Sequence, residues 1–550
     1  MKKIFRNTLM MLAAGAFAVS CADYNETNNF KADPDPTVIP HYTDLDAVKS
    51  YIDRENYPNL VLGAQLKVDE FNKQELAHAA AMTNFDDVAF GTSLMSGSIV
   101  NAKGVMNFLS MKDLLDHMDE IDGTVFGSPL FANANQADEW LATLTAPIEI
   151  IVDYVEGKVV NYNDSTAFHG TIAKGKAAIV KYDSQNVLQI PASSSVNIIE
   201  GFEVDSLAKY TTTFWAKADK DITFDVNFSG NDVTGSGPNG KWQLKQGRWT
   251  KIVVEAQSKG GVTDGYLQIL TSRGVTINIQ KVQVGYYPDN HRPQTPQELS
   301  DTIHYAVNAW CDGVMKINEG RITSFDLIDE AIDSKSKLES GMYDLKHSTE
   351  KIYWQDILGS ENYAPVVANA ARTSFEEHGG NLSDMKLFIS ETGLEEQNVF
   401  ESLMYWIGIW DANGAKIDGI NAKLNLVYSE DAATQEANKN TLNTLFDNLA
   451  TTGKLIRISN FDIKYKNAEG AAVAAKEITD AQRQQLADYN AYVISQYMAK
   501  IPRDKQAGIC KGNMSDTNDP VGLWAVDTKS KDWIRTATYE AFCKALGGQK

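Results

Sequence analysis

Carboxylates and amides collect toward the ends of short apolar runs in this 550-residue chain. SFDLIDEAI carries Asp329 and Glu330, and MKLFISE ends on Glu391. KIDGINAKLNL carries Lys423 and Asn425, and KLIRISNFDI carries Asn460 and Asp462. An earlier run, VFGSPLF, contains Ser128 and leads to Asn133. Two carboxylates about 5 Å apart can cleave a glycosidic bond, one as acid and base and the other as nucleophile. The 8 histidines form no cluster with metal-ligand spacing, so a catalytic metal centre has no support in the sequence.

Such residues act together only if a scaffold brings the run ends to one place. The runs alternate with Ala-, Leu-, Glu- and Lys-rich helical stretches, the pattern of parallel strands joined by crossover helices. A (β/α)8 TIM barrel is the fold expected at this size, with its active residues at the C-terminal strand ends. Between about 151 and 290 the texture changes to short β-branched and aromatic runs such as YTTTFWAKAD, WTKIVVEAQ and VTINIQKVQVGYY, separated by Gly, Asn, Asp and Ser turns. That stretch is expected to be an all-β sandwich of jelly-roll type inserted into the barrel. The barrel would then occupy 45–150 and 291–550.

Net charge is −21, which repels phosphate backbones and anionic lipid, so nucleic acid is an unsuitable partner and a neutral polysaccharide is not. MKKIFRNTLMMLAAGAFAVSC has a basic start, an apolar stretch and small residues before Cys21. Ala18-Val19-Ser20-Cys21 resembles a bacterial lipobox, in which residues 1–21 form the signal and Cys21 takes the lipid. Residues 22–44 read as a polar tether holding the folded chain off a membrane. The acidic Asp23 and Glu26 suit display on the cell surface. Cys311, Cys510 and Cys543 are widely spaced and read as buried free thiols.

The order of segments resembles glycoside hydrolase family 10, the endo-1,4-β-xylanases, in the gut-Bacteroidetes form that carries an inserted family 4-like carbohydrate-binding module. NFDDVAFGTSLMSGSIV (84–100), GSPLFANANQ (127–136), FDLIDEAI (325–332), KIDGINAKLNL (416–426) and KLIRISNFDI (454–463) carry the resemblance, with YWQDILGSENY and DPVGLW in support. It places Glu330 at the acid/base position and Asn460 at the nucleophile position. An amide has no anionic oxygen for attack. The Asp before Glu330 stands where the family has Asn, and two adjacent carboxylates tune a single acid poorly. Sugar-holding positions of the family fall on Gly91, Thr92 and Met95, on Ser128, Ala132 and Asn133, on Lys423 and Asn425, and near Gly512. A different, inverting pair would be Glu330 with Glu391.

The expectation is therefore a surface lipoprotein of a polysaccharide-utilisation system that binds a xylan-like glycan without cleaving it. The alternative is a divergent endo-1,4-β-xylanase. Exposed aromatics stack on sugar faces, and Trp242, Tyr266 and Phe228 are the candidates in the sandwich, with Trp215 and Trp249 read as core. The module resemblance also implies a structural calcium, with no ligands assigned.

Overall fold

The structure, a computed structural model, describes residues 44–121, 123–234, 241–527 and 529–547. Cys21, the signal and nearly all of the tether lie outside these residues. The described residues fall into two compact units, one formed by those up to Thr145 together with those from Pro296 onward, the other by Ala146–Thr295.

Eight parallel strands form the first unit's sheet: β1 (Leu62–Gln65), β2 (Asp87–Ala89), β3 (Thr124–Phe126, resuming at Phe131–Ala132), β4 (Ser324–Asp329), β5 (Lys386–Thr392), β6 (Gly419–Ser429), β7 (Leu455–Lys466) and β8 (Gln506–Lys511). β1 pairs with both β2 and β8, and Gly127 after β3 bridges Phe325 of β4, so the sheet closes into a (β/α)8 barrel. The break in β3 follows from Ser128-Pro129, since proline has no N–H for the ladder. A Cβ at Gly127 would sit 2.1 Å from the Phe325 ring, so only glycine lets the two strands meet there.

Helices pack outside the barrel through apolar stripes. Pro296–Asn318 buries Ile303, Ala306, Val307, Trp310, Cys311, Val314 and Met315, the spacing of one helix face. Asp480–Lys500 begins with a reciprocal Thr479–Gln482 capping box. Cys311, Cys510 and Cys543 are free and buried. Among the described residues no helix is long and apolar enough to cross a membrane.

The second unit is all-β, with a five-stranded and a seven-stranded antiparallel sheet around one apolar core. Burial alternates along Lys209–Ala218, where Tyr210, Thr212, Phe214, Ala216 and Ala218 point inward. Three sequence readings change here. Phe228 is fully buried, with its ring 5.1 Å from Tyr210 and 5.9 Å from Phe202. Trp242 is 3% exposed and donates its indole N–H to the Val253 carbonyl at 2.9 Å. Neither can stack on a sugar. Trp215, read as core, faces outward at 43% exposure, while Trp249 is half-buried. Tyr266 is half-buried on the outward face of its strand, with its hydroxyl 3.4 Å from the Asn227 amide nitrogen.

Candidate functional site

β4 and β7 each reach the barrel mouth through a residue with left-handed backbone, Glu330 (φ +47°) and Asn460 (φ +48°). At β7 the cause is a bulge: pairing with β6 runs to Lys423↔Ser459 and resumes at Asn425↔Asp462, leaving one residue opposite two. Asparagine tolerates this conformation better than most side chains, whereas at Glu330 it is a local strain at a site position.

Beneath these residues the barrel is filled with paired charge. The Lys423 ammonium lies 2.5 Å from Asp329 and 3.0 Å from Glu330. Burial alone would lower the Lys423 pKa, but the two carboxylates win and raise it above the usual lysine range. The adjacent carboxylates that the sequence sets against each other are thus bridged by one cation. Ser390 Oγ donates to Asp329 at 2.5 Å, and Lys346 Nζ donates to the Glu330 carbonyl at 2.5 Å. Deeper, Asn421 Nδ2 donates to both oxygens of Asp326 at 3.1 and 2.9 Å. Burial, then the Asp329 charge, pushes the Asp326 carboxyl up to about 7. The Arg457 fork meets both oxygens of Asp87 at 3.1 Å and lies 4.1 Å from the Phe126 ring centre.

Two cavities open on this mouth. A pocket of 230 Å³ is lined by Ser128, Met95, Asp326, Asp329, Lys423 and Asn460, among others. Beside it runs a cleft of 820 Å³, whose walls include Gln65, Gly91, Thr92, Asn425, Asn460, Asp462, Gly512, Asn513 and Trp533. The β7 and β8 ends are tied across it. Asp462 takes an ion pair from the buried Lys511 and hydrogen bonds from Asn513 N at 3.0 Å and Nδ2 at 2.6 Å. A Cβ on Gly512 would lie 2.6 Å from Asp462 Oδ2, so that carboxylate fills the place beside residue 512.

Not every strand-end residue joins the mouth. Glu391 is 3% exposed and accepts from the backbone N–H groups of Ile332 (3.1 Å) and Thr392 (3.0 Å). Burial pushes its carboxyl up to about 7. It ties the β4 and β5 ends together and lines neither cavity, so it is not placed to act as a base opposite Glu330. Asn133 is also buried, accepting from Gln355 Nε2 at 3.2 Å. Gln65, Asn513 and Trp533 join the cleft without being among the strand-end residues that the sequence singles out. The apolar run VLGAQL could have signalled β1 and hence Gln65; Trp533, in a short hairpin, had no periodic pattern to mark it. Among the described residues no group of three or more His, Cys, Asp or Glu side chains is placed to hold a metal ion.

Comparison with known proteins agrees with this architecture. Residues 288–522 match the family model of glycosyl hydrolase family 10. Xylanase B from Clostridium stercorarium F9 superposes with a TM-score of 0.51 at 10% identity, covering 91% of this chain and 99% of that one. Xylanase XynB from Paenibacillus barcinonensis gives 0.50 at 9% identity, covering 91% and 99%. Xylanase10C from Cellvibrio japonicus gives 0.50 at 11% identity, covering 93% and 75%. At these identities the likeness is one of fold. No curated protein matches the chain.

Proposed function

We propose that this chain is a family 10 glycosidase relative that holds a xylan-like polysaccharide and does not hydrolyse it. The observation that carries the reading is Lys423. Retaining cleavage needs a free carboxylic acid to protonate the leaving oxygen and a carboxylate to attack the sugar. Here the carboxylate of Glu330 is committed to an ammonium at 3.0 Å, and the attacking position holds the uncharged Asn460. Both roles are vacated on one face of an intact barrel.

Around that centre, the reading takes Cys21 as the lipid attachment point of an outer-membrane protein displayed on the cell surface, within a polysaccharide-utilisation system. The all-β unit is read as a jelly-roll module of the family 4-like carbohydrate-binding kind, with Tyr266 the one original sandwich candidate still reachable by ligand. A calcium in that module remains part of the reading without assigned ligands, and nucleic acid has no place in it.

Affinity electrophoresis on a polysaccharide panel, run beside a reducing-sugar assay, tests the reading. Retardation on a β-1,4-xylan without release of sugar is expected. Release of xylo-oligosaccharides would return the protein to the hydrolases. Asn460→Glu alone should stay inactive, because Lys423 still occupies Glu330.

A further inference from the structure

The family-derived sugar positions on this face have changed, yet the face has not been filled in. The 820 Å³ cleft is of the size usual for ligand sites, and its lining has a distinct chemistry. The side-chain amides of Gln65, Asn425 and Asn460 open on it, and among the described residues none of the three has a hydrogen-bond partner. Each amide offers two donors and one acceptor, the complement of a row of hydroxyls. Trp533 lines the same cleft, half-buried, with its ring 5.6 Å from that of the buried Trp524 and tilted 41° to it. An indole fixed in this way presents a flat apolar face.

The charges at the cleft are largely answered from within. Lys67 lies 3.6 Å from Glu70, and Asp462 is paired with Lys511. Of the remaining charged lining residues, Glu75 and Lys531 have opposite signs. No excess of positive charge is available for an acidic ligand, and the chain as a whole carries −21.

We infer that this cleft is the glycan site, re-lined for an uncharged chain: Trp533 stacks on a sugar ring while Gln65, Asn425 and Asn460 take its hydroxyls. This rests on the glycan-binding reading above and adds the location, the residues and the charge class. Trp533 lies beyond residue 522, where the family match ends, and Gln65 lies before residue 288, where it begins.

Titration of the full chain with neutral xylohexaose, followed by tryptophan fluorescence and by electrophoresis through neutral arabinoxylan, tests the site. Asn425→Ala and Gln65→Ala should each weaken binding about 3- to 10-fold, the loss of one or two hydrogen bonds. Trp533→Ala should weaken it at least about tenfold and remove most of the fluorescence change. Asn425 is exposed, so its variant keeps the test valid even if Trp533→Ala disturbs the hairpin. Unchanged binding in all three variants would overturn the cleft as the site while leaving glycan binding in place. So would loss of binding in Trp215→Ala alone, which would move the site to the sandwich. Tighter binding to polygalacturonate than to the neutral chain would overturn the charge assignment. If wild-type protein binds none of the panel, both the cleft and the function fall together.

Discussion

The apolar interior of the barrel also encloses paired charges near its mouth, whereas the core of the all-β unit is filled by aliphatic side chains and rings. Near the barrel mouth Arg457 and Asp87 are nearly inaccessible, and Lys423 spans two carboxylates. The all-β core instead brings Phe228, Tyr210, Phe202 and Tyr286 together, and its polar exceptions are uncharged groups such as the Trp242 indole, which donates to the Val253 carbonyl. A buried charge is tolerable only while its counter-charge is present, and its removal leaves the partner stranded. A buried ring loses contacts in proportion to the space it leaves. The two units should therefore fail in different ways.

The largest effect should come from stranding a charge. Arg457→Met leaves Asp87 buried and unanswered, and the expected loss is about 4 kcal/mol of stability in urea unfolding. Adding Asp87→Leu to that variant should restore much of the loss, because both charges are then gone. If the double variant is no better than the single, the barrel interior does not depend on pairing and the contrast collapses. In the sandwich, Phe228→Ala should cost about 3 kcal/mol through the cavity it opens. No second polar change should rescue it.

Between these lies a pH effect confined to the barrel. Burial and Asp329 hold the Asp326 carboxyl up to about 7, against about 4 in the unfolded chain. A raised folded pKa means that the folded state keeps a proton the unfolded state has released. This contribution is fully present below the unfolded value and is lost as pH rises through about 7. Asp326→Asn cannot ionise, so relative to wild type it should gain about 2 kcal/mol on going from pH 5 to pH 8. Parallel urea titrations at the two pH values read that difference. A constant difference would mean that Asp326 is ionised throughout.

The same contrast explains what could be read from the residues. In a barrel, a strand buried on both faces appears as an apolar run, and its C-terminal end must lie at the mouth whatever its exact register. FDLIDEAI and KLIRISNFDI therefore place Glu330 and Asn460 at the mouth, while the apolar runs of β1, in VLGAQL, and of β8 stand out less. Which mouth residues face the cleft is a matter of bulges and partners. Glu391 turned inward to two backbone N–H groups, and Lys423 reached across to Glu330; neither event has a local signature. In the sandwich a single step of register exchanges inside for outside. WQL shows no alternation long enough to fix Trp242, and in TTTFWAKA the adjacent Phe214 and Trp215 are equally apolar, so one must face water and the composition does not say which.

That adjacent pair supplies the smallest and sharpest test. Phe214 is 1% exposed and Trp215 is 43% exposed, on opposite faces of one strand. Phe214→Ala should destabilise the sandwich on the scale of Phe228→Ala, since it removes a ring from the same core. Trp215→Ala, although it deletes the larger side chain, should change stability by no more than about 0.5 kcal/mol, because the indole leaves no cavity behind. Its outward neighbour across the ladder is Lys251, which stays solvated without it. Reversal of the two effects in urea unfolding would mean that the strand runs one residue out of register. Every inward and outward assignment along Lys209–Ala218 would then exchange.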